Sequence, residues 1–517
     1  MARYKEYDYR QGKFLPISFD KQILPGTFEY TLNYLIDHEL DLSVFDDRYC
    51  NDDTGAPAYD PAILLKIILY AYSRGITSSR RIEQCCRENV IFMALSCDTS
   101  PHFTTIADFI ATLDQEIIKL FLEVLLVCDE LKLIGKEMFA LDGVKLSSNA
   151  SKEWSGTGED LAKKREKMEK AIRHMITRHK ETDGAEKDND TAVQEAQYVA
   201  TLKRNVKKIR RWLKDHDDKP GKTGKPIKSN ITDNESATMK TSHGVIQGYD
   251  GVAVVDDKHQ IVVHAEAFGA PQEQELLQPM VEGARENLTA IGSGPDVFEK
   301  TKLTADSGFH SEKNMQFLMG EGIDAYVADT QFRKRDPRFA ERDRYKERFK
   351  KENAALHGTT TAYTTRYFTM SEDKSHCICP AGKRLHRNGA NVIVNHKRVA
   401  IKFRSNKTDC TVCALRKKCL RYPDRTETRQ VYFFQGRAPY LPESFTEKMK
   451  RKIDSVKGRL IYNKRLPTAE PVFANICSTL RLNRFALRGK RKVNSQWLLY
   501  CIVHNLLKVH RYGYGYA

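Results

Sequence analysis

The first informative features of this sequence are absences. No apolar run is long enough to span a bilayer, because the best candidate, "AILLKIILYAY", is interrupted by Lys66. The opening "MARYKEYDYRQGK" has no apolar stretch of the kind a secretory leader carries. Both absences point to a cytosolic protein without a membrane partner. Nor do the 12 cysteines form a secreted disulfide framework. Cys50, Cys85, Cys86, Cys97, Cys128, Cys477 and Cys501 mostly sit in apolar helical patterns, where a thiol packs as a small hydrophobe. A P-loop is excluded as well: "GKT" at Gly221 lacks the earlier glycine, whose place is taken by His216. Finally, Pro471 to Ala517 contains no Asp or Glu, while Arg481, Arg484, Arg488, Lys490, Arg491, Lys492, Lys508 and Arg511 are basic.

That last absence gives the overall charge a direction. The formal charge is +17, which favours a polyanionic partner through release of condensed counterions. At 517 residues the chain exceeds one ordinary core, so two or more domains are expected.

Residues 1–135 read as a helical amino-terminal domain. "DPAILLKIILYAYSRG" opens with Asp60 as N-cap and Pro61 at the first helical position, and ends near Gly75. "TIADFIATLDQEIIKLFLEVLLVCDELKLI" reads as one helix starting at Thr105 with Asp108 completing a capping box. Short helices with tight turns suit a helix-turn-helix DNA reader, and equally a helical dimerisation domain. Residues 136–330 read as the first part of an α/β core, carrying a charged helical insertion at about 155–230. A basic interval at 331–455 contains a cysteine cluster, and 456–517 completes the core with a basic tail. "GYDGVAVVD" and "QIVVHAEAF" flank the turn "DKH" as an antiparallel hairpin.

Two strands end on a carboxylate beside a glycine. "MFALDG" delivers Asp142 and "LTADSG" delivers Asp306. Sheets hold such strand-end residues rigidly while the following loop leaves room for a ligand. Taken singly, either acid also suits a turn or a helix N-cap. Hard divalent cations need oxygen ligands, and a metal pair for phosphoryl transfer needs a third carboxylate. Glu470 in "RLPTAEPVFANI" is the best candidate, in a helix whose Pro467 and Pro471 suit its first turn; Glu443 and Glu447 are weaker. Lys145, Asn149 and His310 lie close by in sequence, as loop residues or neighbours of the acids.

Several blocks occur in a fixed order: "ALDGVKLSSNASK", "MKTSHGVIQGYDGVAVVDDKHQIVVHAE", "LTADSGFHSEKN", "CPAG", "CTVCALRKKC", "RLPTAEPVFANI" and "RFALRGKRKVNSQWLLYCIVHNLLKV". Together they resemble DDE transposases of bacterial insertion sequences, and among those the group called insertion sequence eleven-eighty-two. The resemblance spans about residues 40–510. It implies an α/β RNase H-like catalytic core, a mixed sheet with flanking helices interrupted by insertions, beside an all-α amino-terminal domain. It further implies two Mg2+ (or Mn2+) ions held by Asp142, Asp306 and Glu470, cleavage at terminal inverted repeats with transfer to target DNA, and a homodimer on paired ends. Tyr462 and Arg465 match the family's carboxy-terminal signature, and Arg481, Arg484, Arg488 and Lys490 are candidate DNA contacts. The signature's Lys is here Cys477, which is read as a tolerated change, as replaced by Arg481 one helical turn on, or as the mark of a decayed copy. A non-catalytic DNA-binding descendant is the alternative reading, and a metal-dependent nuclease that cuts without joining shares the site and differs only in its product.

Between the second acid and Glu470, "HCICPAGKRLH" and "DCTVCALRKKC" supply five cysteines. The C-x-x-C from Cys410 to Cys413 has knuckle spacing, and Cys379, Cys410, Cys413 and Cys419 make a possible structural four-thiolate Zn2+ site. Cys377 is then left over, His376 or His386 can substitute as ligand, and reduced cysteines without metal are the alternative.

Overall fold

The computed structural model describes residues 17–48, 57–181, 189–221, 224–241, 244–339, 363–394, 398–437 and 443–513. The chain divides into two compact units, Met1–Asp329 with Arg451–Ala517, and Thr330–Lys450. Among the described residues no helix is long and apolar enough to cross a membrane.

The first unit is a mixed α/β structure built on a six-stranded sheet. Its strands are β1 (Met138–Ser147), β2 (Ala237–Thr241), β3 (Gly244–Asp256), β4 (Val262–Phe268), β5 (Lys302–Ala305) and β6 (Asp324–Val327). The order is β6-β5-β1-β3-β2, with β4 also on β3. β1 pairs parallel with β5 and antiparallel with β3. The expected strand "MFALD" is therefore twice as long, because β3 continues to pair with it through Ser147 after β5 has ended. The β3–β4 hairpin forms as the sequence suggests.

The amino-terminal helices are α1 (Phe28–Tyr34), α2 (Pro61–Ser73), α3 (Ser79–Glu88), α4 (Val90–Leu95), α5 (Phe103–Thr112) and α6 (Asp114–Glu130). Asp60 caps α2 by accepting from Ala62 N, with Pro61 at the first position. The single helix expected from Thr105 is two. His102 caps α5, and Leu113, at φ −100° and ψ 49°, breaks the run before α6. The charged insertion forms α7 (Gly158–Glu181) and α8 (Asn189–Asp215), which share a small seam of Leu161, Ile209 and Trp212. The turn "DGAEKDND" falls largely outside the described residues. α9 (Leu277–Ala290) and α10 (Glu312–Gly320) follow β4 and β5.

Three helices close the chain: α11 (Val456–Asn463), α12 (Arg465–Ala474) and α13 (Lys490–Tyr512). Pro471 lies inside α12, not in its first turn. Its missing N–H frees the carbonyl of Pro467, which accepts from Gln260 Nε2 at 2.9 Å, so the helix carries the proline without an orphaned acceptor. About half of the acid-free stretch is α13, a helix largely buried between Val493 and Val509 that packs against β4 and the amino-terminal helices. Two of its buried polar residues bond to the β3–β4 hairpin, while the buried Tyr500 hydroxyl has no hydrogen-bond partner among the described residues. Asn505 exchanges two hydrogen bonds with the backbone of Val262, at 2.9 Å each, and His504 Nε2 bonds Gln260 O. Trp497 donates to Val252 O and lies flat against Gly251, where a Cβ would sit 3.1 Å from its ring.

The second unit is an antiparallel sheet in chain order: β7 (Thr369–Met370), β8 (His376–Ile378), β9 (Arg384–Val394), β10 (Arg398–Arg404) and β11 (Gln430–Arg437). This basic interval has a small core of its own, built from Phe368, Cys377, Leu385, Ile401, Phe403 and Val431.

Candidate active site

β1 and β5 run parallel with Leu141 opposite Ala305, so the next residue of each, Asp142 and Asp306, stands at the same level. Asp142 is mostly buried in mid-strand; Asp306 opens the turn Ser307–Phe309 and is 42% exposed. Arg465, the first residue of α12, is buried across the pair. Its Nη1 donates to Asp142 Oδ2 at 2.5 Å, and its Nη2 lies 4.0 Å from Asp306 Oδ1. Its guanidinium stands 5.7 Å from the centre of the Tyr462 ring. Burial raises the Asp142 carboxyl above the usual range; Arg465 and the Gly143 N–H oppose this, and Asp306 adds to it. Burial also raises Tyr462.

Alternation along β1 places Gly143 and Lys145 on the sheet face opposite Asp142. There Lys145 is in register with Asp250 of β3, and its Nζ pairs with Glu273 Oε1 at 2.5 Å. Burial works to lower Lys145, but Glu273, Asp250 and Asp306 outweigh it and raise the ammonium. Asp250 is fully buried and neither carboxylate oxygen has a hydrogen-bond partner. Burial, then the charge of Glu273, pushes it up to about 7 against the pull of Lys145. A Cβ at Gly143 would lie 2.8 Å from Asp250 Oδ1, and one at Gly308 would collide with the Glu273 carboxylate. Glu273 thus rests against the turn that follows Asp306. Neither Asp250 nor Glu273 was singled out from sequence, although an acid in the interior of the apolar strand "GYDGVAVVD" is a visible signal.

The remaining sequence candidates are distributed as follows. Glu470 shares α12 with Arg465 but is exposed, and at five residues' separation it points about 140° away around the helix. Arg484 donates to Ser148 O and Asn149 Oδ1, and Arg488 to Asn149 O at 2.7 Å. Asn149 in turn donates to Ala486 O, so the loop after β1 is tied to residues 484–488. Lys490 pairs with Glu266 at 2.7 Å, and the stem of Arg481 lies over Gly75. His310 Nδ1 bonds Val327 O. Cys477, standing where the signature has Lys, is a half-buried thiol pushed up to about 11 by burial. In the second unit Cys379, Cys410, Cys413 and Cys419 line one cavity. Among the described residues no three His, Cys, Asp or Glu side chains are gathered closely enough to hold a metal ion as they stand.

Two family models match the chain. Residues 378–510 match a transposase DDE domain, and residues 17–112 match a transposase domain (DUF772). The first match covers Glu470 and Cys379, Cys410, Cys413 and Cys419 but neither Asp142 nor Asp306. No curated protein matches the chain.

Proposed function

The chain belongs to the DDE transposases of insertion sequences, and we propose that it binds the terminal inverted repeats of its element, cuts their 3′ ends and joins them to target DNA. The observation that carries this reading is the matched pair Asp142 and Asp306, at one level on adjacent parallel strands, bridged by the buried cation of Arg465. In this reading the mixed sheet with β1 at its centre is an RNase H-like core, and residues 1–135 contribute to DNA recognition.

Two of the three donors fit the divalent metal that the family implies. Asp142 and Asp306 are hard oxygen donors already gathered around a positive charge, and Glu470, on the same helix as that charge but turned to solvent, would have to swing toward them to be the third carboxylate. Bound there, Mg2+ supplies Lewis acidity toward the attacking hydroxyl and the leaving oxygen. The other roles belong to the protein's own residues. Arg465 neutralises Asp142 in the free protein, and on release from it can fork onto a backbone phosphate, which its planar donors suit. Tyr462 supports the guanidinium from below. Lys145, tied to Glu273, braces the turn that carries Asp306. Arg484 and Arg488 order the loop after β1 while leaving basic surface for DNA. A homodimer on paired ends and a cytoplasmic setting complete the reading.

The test is cleavage and strand joining, in Mg2+ or Mn2+, of DNA carrying the gene's own flanking ends. Asp142→Asn, Asp306→Asn and Glu470→Gln should each abolish both reactions while end binding persists. The second reading, a DNA-binding descendant without catalysis, is favoured by one observation: Cys477 offers a protonated thiol where the signature has an ammonium. Wild type that binds its ends but never cuts would select it, and Cys477→Lys is then the variant to make.

A further inference from the structure

The four cysteines that line one cavity of the second unit are drawn from separate local structures. Cys379 opens the turn "CPAGK" between β8 and β9, where Gly382 adopts φ 74° and donates to Cys379 O. In the same turn Lys383 N donates to Cys379 Sγ at 3.3 Å, so a backbone N–H is already aimed at the sulfur. Cys410 lies in the short helix Lys407–Thr411 and its Sγ meets Ser405 Oγ at 2.9 Å. Cys413 follows, its carbonyl accepting from Arg416 N, and Cys419 ends the helix Arg416–Cys419. All four border a cavity of about 30 Å³.

The cavity wall is set for negative charge. Lys383, Arg416 and Arg429 line it against one acid, Asp409. Arg429 Nε is buried there with no hydrogen-bond partner, a donor in search of an anionic acceptor. Arg416 locks the surrounding loop, donating to Cys410 O, Pro423 O and Thr426 O. Cys377 is excluded from the set, since it is fully buried in the sheet core. His376 and His386 face each other across β8 and β9 and do not line the cavity.

From this arrangement we infer that Cys379, Cys410, Cys413 and Cys419 form a structural site for a thiophilic divalent cation, zinc in the cell. As they stand the thiols ring the cavity without converging, and the inference is that they close on the ion as thiolates. Soft sulfur donors in a closed four-ligand set select zinc, whose tetrahedral sites have Zn–S near 2.3 Å. The Lys383 and Arg429 N–H groups then support the sulfurs, as outer-shell donors do in such sites. The unit also needs a staple. Six buried residues form its core cluster, and a core of that size rarely holds a small domain alone. The ion joins the β8–β9 turn to both short helices. This inference is independent of the transposition chemistry and of Asp142, Asp306 and Glu470.

The experiment uses full-length protein purified without chelator. Metal analysis should find about one zinc per chain, released stoichiometrically by a mercurial thiol reagent. The double variant Cys410→Ser/Cys413→Ser should retain less than about a tenth of it, while Cys97→Ser, at an exposed cysteine outside the cavity, retains all. If the double variant does not fold, cobalt exchange into wild type decides: thiolate-to-cobalt charge-transfer absorption and tetrahedral d–d bands are expected. On chelation, hydrogen exchange should rise across residues 376–430 and not in the β1–β5 sheet. Zinc-free protein that takes up no cobalt, iron in place of zinc, or zinc retained by the double variant would each overturn the assignment.

Discussion

Asp250 gives the most demanding test of the site's electrostatics. It is fully buried beside Lys145, and both its oxygens lack hydrogen-bond partners. Its carboxyl rises from 3.8 to about 7, with burial the first cause. A raised carboxyl holds its proton more tightly in the native state than in the unfolded chain. Its contribution is therefore fully present below about pH 4 and is lost progressively as pH climbs to about 7, then levels off. At about 1.36 kcal/mol per pH unit the loss has a ceiling near 4 kcal/mol, and relaxation of Lys145 toward the ionised group should leave about half. Asp250→Asn keeps the shape and removes the charge. Melted in EDTA, the variant should match wild type at about pH 4 and exceed it by about 2 kcal/mol, several degrees in Tm, at about pH 8. Parallel pH profiles, or a variant less stable than wild type at the higher pH, would refute the reasoning, because Asp250 would then be a charge satisfied by Lys145.

Other perturbations follow from the same contacts. Arg465→Met leaves Asp142 buried without its cation, so in EDTA it should cost about 3–5 kcal/mol, and added Mg2+ should stabilise the variant more than wild type. Thermal melts with and without Mg2+ measure both effects, and an equal Mg2+ increment in the two proteins would argue against a shared cation position. Gly308→Ala drives a methyl into the Glu273 carboxylate and should destabilise by about 1–3 kcal/mol in denaturant titration. Asn505→Ala removes both hydrogen bonds to Val262 and strands its buried backbone groups, at a cost of about 2–3 kcal/mol by the same measurement. Arg488→Ala should weaken DNA binding across sequences and lower the salt slope by about one; an unchanged slope moves the phosphate contact elsewhere.

How far each feature was legible in the sequence depended on how local its cause is. Asp60 and Pro61 announced α2 because a cap and a preset φ act within one turn. The strand that carries Asp142, the strand end just before Asp306 and the β3–β4 hairpin were legible for the same reason: alternation and turn residues act over a few positions. That β1 runs on past Asp142 to Ser147 was not, since it depends on pairing with β3. The break at Leu113 was not legible, since a continuous apolar stripe ran through it. The interior position of Pro471 was hidden too, because the acceptor it frees is satisfied by Gln260, distant in sequence. The second unit's core escaped notice because its strands bury only one face and its polar residues dominate the composition.

By itself, then, the sequence determined the acids, the Tyr462–Arg465 spacing, the basic carboxy-terminal stretch and the cysteine set, all of them residue types at fixed separations. Only the tertiary structure decided that Asp142 and Asp306 stand level, since that depends on the parallel register of strands about 160 residues apart in the chain. It also decided that Arg465 is their buried counter-ion, that Asp250 and Glu273 lie on the far face of β1, that Glu470 points into solvent, and that about half of the acid-free stretch is a core helix. These are matters of which distant surfaces meet, and the free energy that selects them comes from burial and charge pairing across the whole fold, which no local run of residues encodes.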